Sequence, residues 1–146
     1  MIRAHVIAVL AVLAAAVGWS QTAPGFVVAD YKTFDWKTSG TLPPGAEYHL
    51  LYEEPKTHAV QLMARFKARY SLPLHHHSHD ETIVVVRGRL GITANDKEDV
   101  LGPGSYARIP AKTRHALRAA GLGRTEFLVL MTGPYDVLGL ESPKAK

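Results

Sequence analysis

Short apolar stretches separated by turn residues follow one another from about position 45 onward. The stretches are EYHLLYE (47–53), HAVQLMARF (58–66), ETIVVVR (81–87), LGITA (90–94), SYARI (105–109) and EFLVLMT (126–132). Between them lie turn formers, among them Glu54-Pro55-Lys56, Arg87-Gly88, Asn95-Asp96-Lys97 and Gly102-Pro103-Gly104. Strands of this length and spacing, without an amphipathic helical period, predict an all-β antiparallel jelly-roll barrel of about eight or nine strands.

The stretch 81–87 is apolar on both faces of the predicted strand. Ile83 and Val85 share the parity of Glu81, whereas Thr82, Val84 and Val86 have the other parity. One face can line the barrel, and the other then needs the N-terminal arm, a second sheet or another subunit to cover it. Because 127–131 has the same character, we expect a homodimer.

The first twenty residues differ from the rest of the chain. Arg3 and His5 precede an uncharged stretch from Val6 to Val17, followed by Gly18 and Ser20. This pattern indicates a secretory signal peptide, with cleavage after Ser20 or, as the other candidate, after Gly18. The apolar run is shorter than the ~20 residues that a membrane span needs, so we expect no stable span and an exported protein, periplasmic or secreted.

The remaining chain divides into an arm, a barrel and a tail. Residues 21–45 are punctuated by Pro, Gly and Thr and predict an N-terminal arm packed outside the barrel, with Phe34 and Trp36 on one face. The predicted barrel spans 46–135, and 136–146 is a C-terminal tail. Because the chain has no cysteine, neither disulfides nor thiolate chemistry contributes, and burial alone must hold the fold.

The charge of the chain gives little support to a polyanionic partner. Without Arg3, the 17 basic residues become 16 against 13 acidic ones, a net charge of +3. The basic residues are scattered and form no run of five and no stripe interleaved with aromatic residues. We therefore expect a small-molecule ligand or substrate and no nucleic acid.

The segment LPLHHHSHDETIVVVRG (72–88) carries the candidate chemistry. His75 and His77 lie at i and i+2, so in an extended strand they point the same way and His76 points the opposite way. A hairpin after Ser78-His79-Asp80 would bring Glu81 back over the same face. Two neutral nitrogens and one anionic oxygen then form a facial set that can bind a divalent ion and leave coordination positions open.

Two signatures in the sequence resemble those of the cupin superfamily. His75-x-His77-x3-Glu81-x6-Gly88 is similar to the family's first signature, and Gly104-x5-Pro110-x4-His115 resembles the second. The resemblance covers roughly residues 45–135 and implies a jelly-roll barrel in which His115 is a third histidine ligand. It therefore implies one divalent metal ion bound by His75, His77, Glu81 and His115.

The chain departs from the family pattern at two positions. The family often has glycine where Lys112 stands and asparagine where Ala119 stands. A lysine with positive φ is uncommon, so Lys112 raises the question of whether the usual turn forms. Neither departure removes a ligand.

Several other residues are candidates for lesser roles. We expect His76 and His79 not to bind the metal, although His79 could support a ligand from outside the coordination shell. His49 and His58 are interpreted as ordinary strand residues, and Gly88, Gly104 and Pro110 as structural. Met63 and Gln61 could share a face toward the cavity, with core packing of Met63 as the alternative. Asp80 and Tyr106 are the candidates for proton transfer, with chance placement as the alternative, so no catalytic residue is assigned.

The sequence leaves the chemistry and the metal open. One hypothesis is a metal-dependent enzyme, of oxygenase, isomerase or lyase type, acting on a small oxygen-rich molecule such as an organic acid, phenol or sugar derivative. The other is a non-catalytic module in which the metal anchors a ligand or stiffens the barrel, and a purely structural protein ranks below both. The metal can be Zn, Cu, Fe, Mn or Ni.

Overall fold

A computed structural model describes residues 25–141, and the predicted signal peptide at 1–20 lies outside this range. A 3-10 helix, η1 (Tyr31–Thr33), precedes nine strands. The strands are β1 (Ala46–Glu53), β2 (Val60–Phe66), β3 (Ser71–His75), β4 (Glu81–Arg87), β5 (Leu90–Ala94), β6 (Lys97–Leu101), β7 (Tyr106–Ile109), β8 (His115–Ala119) and β9 (Thr125–Met131). No helix within 25–141 is long and apolar enough to cross a membrane.

The strands form two antiparallel sheets that face each other, which confirms the predicted all-β jelly-roll. One sheet has the order β1-β2-β9-β4-β7, and the other has the order β3-β8-β5-β6. Every strand pair is antiparallel. Strands that are adjacent in sequence often lie in different sheets, so the loops between them cross from one layer to the other.

The core lies between the two sheets and follows the period of two along each strand. In β4, Glu81, Ile83 and Val85 are buried, while the alternate residues are partly exposed. Phe66 and Phe127 meet edge to face inside the barrel, with ring centroids 4.9 Å apart. The expected parity of β4 is therefore confirmed, and its inward face begins with a carboxylate.

The hairpin between β5 and β6 illustrates how local sequence sets the register. Asn95 and Asp96 both have positive φ, at 51° and 61°, and Ala94 pairs with Lys97. A two-residue loop with both central residues at positive φ is a type I′ turn, whose twist suits a hairpin and which Asn and Asp tolerate well.

The segment before β1 packs on the outer face of the five-stranded sheet. Lys37 and Tyr48 exchange two backbone hydrogen bonds, which adds a short bridge at the edge of β1. The Phe34 ring stacks on His49 at 4.2 Å, and the Arg65 guanidinium lies 4.0 Å from the centre of the Trp36 ring. Part of this sheet is thus covered by the same chain.

The outer face next to that cover remains partly open. Val86 is half exposed, and Leu128 and Leu130 are partly exposed. The homodimer stays a prediction, because a second subunit is one way to cover these residues.

Lys112 adopts the left-handed conformation that the sequence put in question. Its φ is 64°, and it occupies the third position of a turn closed by a hydrogen bond from Thr113 N to Pro110 O. The Lys112 N–H donates to the carbonyl of His77 at 2.8 Å. The turn is therefore kept despite the lysine, and it leads directly into His115.

We expect Lys112→Gly to stabilise the protein by about 0.5–1 kcal/mol, because glycine lacks the Cβ that disfavours positive φ. Part of that gain is offset by the greater freedom of glycine in the unfolded chain. The midpoint of urea unfolding, followed by tryptophan fluorescence, measures the change. Lys112→Ala is the matched control, since it removes the charge and keeps the Cβ. A glycine variant no more stable than the alanine variant would contradict the explanation.

Candidate metal centre

Three buried histidines meet at one end of the barrel. His75 ends β3 and His115 begins β8, and the two are direct partners across the antiparallel ladder. His77 follows two residues later, in the loop that crosses to the other sheet. All three side chains are at most 4% exposed, and each offers a nitrogen within 4.8 Å of those of the other two. The register of β3 on β8 is thus what brings the second signature to the first.

Each imidazole is held by its Nδ1 atom. His75 Nδ1 donates to the Pro73 carbonyl at 2.7 Å and His115 Nδ1 to the Thr113 carbonyl at 2.9 Å. His77 Nδ1 donates to the carbonyl of Asp136. A backbone carbonyl can only accept, so each neutral ring carries its proton on Nδ1 and presents a free lone pair at Nε2. This is the tautomer that a metal ligand needs.

Glu81 reaches the same point from the five-stranded sheet. Its Oε2 lies 3.5 Å from His77 Nε2 and 3.2 Å from His115 Nε2, and the side chain is buried. The Nε2 atoms of the three histidines and this oxygen have no hydrogen-bond partner among the described residues. Two ligands each about 2.1 Å from one ion lie about 3 Å apart at a right angle, so the spacing fits a divalent cation.

The charge state at neutral pH also suits a cation. Burial and the neighbouring His115 lower the pKa of His75 to about 4, so this ring is neutral. Burial alone raises the pKa of Glu81, but His115 and His77 outweigh it when their imidazoles carry a second proton at Nε2, and they lower the pKa to about 2. Burial lowers the pKa of His77, and the adjacent Glu81 outweighs this and raises it overall. The carboxylate is therefore ionised, and a cation bound at this site would offset its negative charge.

His76 and His79 point away from this centre. A Cβ added at Gly139 would lie 3.2 Å from His76 Cε1, so the ring of His76 packs on that glycine. The ring of His79 packs in the same way on Gly133. Neither belongs to the group of converging histidines. Their positions agree with the expectation that they are not ligands.

Three other pairs of residues that the sequence singled out lie away from the histidines or differ from expectation. The placement of Met63 toward the cavity is wrong, because the buried cavity-lining residues of β2 have the other parity and Gln61 is exposed. Asp80 accepts hydrogen bonds from Arg108 and from the Ala111 N–H, and Tyr106 is 61% exposed. Neither lines the cavity beside the histidines. His49 lies in β1, as expected, whereas the expectation that His58 is a strand residue is wrong, because His58 adopts positive φ in the turn before β2.

The segment after β9 contributes residues that the sequence analysis missed. Its backbone returns to β3, where Leu138 exchanges two hydrogen bonds with His76 and the Glu141 N–H donates to Leu74 O. Besides holding His77, Asp136 accepts from the Ser78 N–H at 3.0 Å through its carboxylate. The Tyr135 ring lies 5.9 Å from the His77 ring. Gly133-Pro134 follows the end of β9 at Met131 and gave no signal that the chain turns back toward His77.

A cavity of about 520 Å³ adjoins the centre. His75, His77 and Glu81 form part of its wall, and Tyr135 and Asp136 lie beside them. The remaining wall is mostly apolar, and its buried members are Ala46, Val60, Leu62, Ala64, Phe66, Leu72, Leu117, Phe127 and Val129. A concave apolar site with a few convergent polar groups is typical of small-molecule binding.

Residues 62–131 match the profile of the cupin domain family. No curated protein sequence matches the chain.

Solved structures resemble the fold at low sequence identity. The polyketide cyclase RemF from Streptomyces resistomycificus has a TM-score of 0.68 at 17% identity, over 82% of this chain and 89% of that one. A predicted oxalate decarboxylase from Thermotoga maritima has a TM-score of 0.64 at 18% identity, over 73% and 98%. KdgF from Halomonas sp. has a TM-score of 0.62 at 19% identity, over 75% and 94%. At these identities the likeness is one of fold.

We expect replacement of His75, His77 or His115 by alanine to weaken zinc binding by more than the roughly 10–100-fold typical of losing a supporting hydrogen bond. His76→Ala should keep its metal, because this ring has the opposite strand parity. Metal content after dialysis measures the difference, and thermal unfolding of the metal-free variants controls for misfolding. Equal losses in the His76 and His77 variants would refute the ligand assignment.

Proposed function

We propose that this chain, which belongs to the cupin superfamily, is a metal-dependent enzyme acting on a small oxygen-bearing molecule. His75, His77, Glu81 and His115 would hold one divalent ion. The observation that carries the proposal is the convergence of three unpaired imidazole nitrogens and a buried carboxylate on the wall of an apolar cavity. Four ligands leave two positions of an octahedron open.

The bound ion would polarise a substrate oxygen, activate water or, if redox-active, bring substrate and dioxygen together. The residues of the chain orient the ligands, exclude water and offer a hydrogen-bond donor. Carbonyls at Pro73, Thr113 and Asp136 hold the imidazoles in position. The apolar wall limits the access of water, which strengthens electrostatic interactions in the site. Tyr135, whose hydroxyl is protonated at neutral pH, is available as a hydrogen-bond donor in the cavity.

The reaction type is proposed as oxygenase, isomerase or lyase. Two structural neighbours are described as a cyclase and as a predicted decarboxylase, so the same barrel is associated with catalysis elsewhere. Likeness of fold does not transfer a reaction, so the reaction of this chain depends on its own metal centre and cavity.

A non-catalytic, metal-anchored binding or sensing module is the second candidate. It is favoured because other polar groups that line the cavity are already paired with neighbouring side chains. Glu53 pairs with His58 at 2.6 Å, and Glu47 pairs with Arg65 at 2.7 Å. These groups are engaged with each other, so acid–base chemistry would depend on the metal centre and its immediate neighbours.

We also propose that residues 1–20 direct export and that the site assembles outside the cytosol, on a chain exported unfolded. A nitrogen-rich site then selects zinc or copper by the general affinity order for divalent ions. Elemental analysis of the exported protein should find mainly these two metals. A form lacking 1–20 and made in the cytosol should also load iron, manganese or nickel. Iron or manganese in the exported protein would overturn the affinity argument and favour oxygen-dependent catalysis.

Catalysis is tested by screening the exported protein, loaded with each metal, against organic acids, phenols and sugar derivatives. We expect mass spectrometry to detect product with at least one metal form, and His115→Ala to lose that turnover while His76→Ala retains it. Oxygen consumption separates an oxygenase from an isomerase or a lyase. Tight ligand binding without turnover in every metal form would favour the binding module instead.

A further inference from the structure

The inner surface of the barrel changes character within a short distance of the metal centre. Glu81 pairs across the five-stranded sheet with Met131, and the next inward-facing level contains Ile83, Val129 and Leu62. The level after that contains Phe127 and Ala64. Each level lies about 7 Å further along the strands. The polar centre is therefore followed, over about 14 Å, by two levels of aliphatic and aromatic side chains.

The facing sheet continues the same surface. Leu117 lies two residues beyond His115 on β8, and its ladder partner on β3 is Leu72. Both are buried and line the cavity. The polar lining residues outside the metal centre come from loops and turns, namely Ser39, Thr41 and His58, and from β1, namely Glu47, Tyr48 and Glu53. The cavity, or chamber, thus has a charged wall at the metal centre, two apolar walls formed by β2 and β9 and by the facing β3 and β8, and a polar edge at β1.

We propose that the ligand of this cavity has an oxygen-bearing, metal-binding head and a bulky apolar body, aromatic or alicyclic, that lies between Leu62, Val129, Ala64 and Phe127 on one side and Leu72 and Leu117 on the other. The assignment of the head depends on the proposed metal function, whereas the assignment of the body depends only on the side chains that line the cavity. This narrows the substrate class to phenols and to acids with a ring system.

The size and chemistry of the chamber disfavour the other candidates. Its volume of about 520 Å³ lies within the ~300–1,000 Å³ of pockets that bury drug-sized ligands. A two-carbon diacid would leave most of this volume filled with water against apolar walls. Between the two apolar walls a sugar would bring hydroxyl groups next to side chains that cannot hydrogen-bond them, and burial of an unpaired hydroxyl is unfavourable. The carboxylates of β1 that line the cavity, Glu47 and Glu53, are already paired with Arg65 and His58.

Ala64 gives the chamber its depth. It lines the cavity beside Phe127, its ladder partner, and is 8% exposed. A larger side chain at this position would occupy the volume assigned to the body while leaving the metal centre two levels away. Ala64→Leu is therefore the specific variant. Ala116→Leu is its matched control, because Ala116 lies on β8 between the inward-facing His115 and Leu117 and so faces outward.

The test uses one metal-binding head on bodies of increasing size. Acetohydroxamate, benzohydroxamate and 2-naphthohydroxamate are titrated calorimetrically into the zinc-loaded, full-length protein. We expect the dissociation constant to fall about tenfold or more from the methyl to the phenyl compound, as for burial of an aromatic side chain, and to fall further with naphthyl. Ala64→Leu should abolish this gain while retaining its zinc and its affinity for acetohydroxamate, and Ala116→Leu should retain the gain.

Equal affinity for the three compounds in zinc-loaded protein would overturn the inference and leave the proposed metal site intact. If the protein binds no metal, the metal-based function fails and 2-naphthol, which is uncharged at neutral pH and is not repelled by Glu81, decides the inference separately. Its binding to metal-free protein, followed by its fluorescence, should be weakened by Ala64→Leu and not by Ala116→Leu. Equal binding to both variants would overturn the inference. Because the wild-type series needs no mutant, poor folding of Ala64→Leu does not affect it.

Discussion

The structure depends on burying three imidazoles and a carboxylate together at one end of a barrel. Each buried polar atom without a partner costs about 1–3 kcal/mol, against a total stability of about 5–15 kcal/mol for a domain. Four such atoms converge at the His75–His115 pair. The Nδ1 hydrogen bonds to carbonyls fix the rings and thereby make this cost unavoidable. A bound cation offsets it, which is why the arrangement indicates a metal site more strongly than any single histidine does.

Both sheets and three loops contribute to this centre. His75 and His115 belong to one sheet and Glu81 to the other, while His77 lies on the connection between them. The Pro110–Thr113 turn determines where β8 begins, and the segment after β9 supplies the carbonyl that orients His77. The ligands therefore form a single site only when the sheets face each other in the observed register. The same separation of the sheets leaves the cavity beside them.

Apolar side chains lie on both faces of the five-stranded sheet, and the two faces have different roles. The inward face packs Phe66, Phe127 and Ile83 into the core and lines the cavity with their neighbours. The outward face of the same sheet is covered by Phe34 and Trp36 near β1 and β2, and is partly exposed near β4 and β9. One side of the sheet is therefore suited to a small molecule, and the other to the arm and to the predicted second subunit.

Local sequence predicted most of the strands, the shared parity of His75 and His77, and the two signatures, because a period of two and turn residues are local properties. It also identified Lys112 as an unusual residue in its turn, although not that the turn would form around it. Tertiary structure alone decided that Met63 faces away from the cavity, since a shift of one residue in strand phase exchanges the two faces. It likewise decided that Tyr135 and Asp136 return to the histidines and that Ala64 opens the chamber. Those contacts join residues far apart in the chain, and only the pairing of strands across the sheets brings them together.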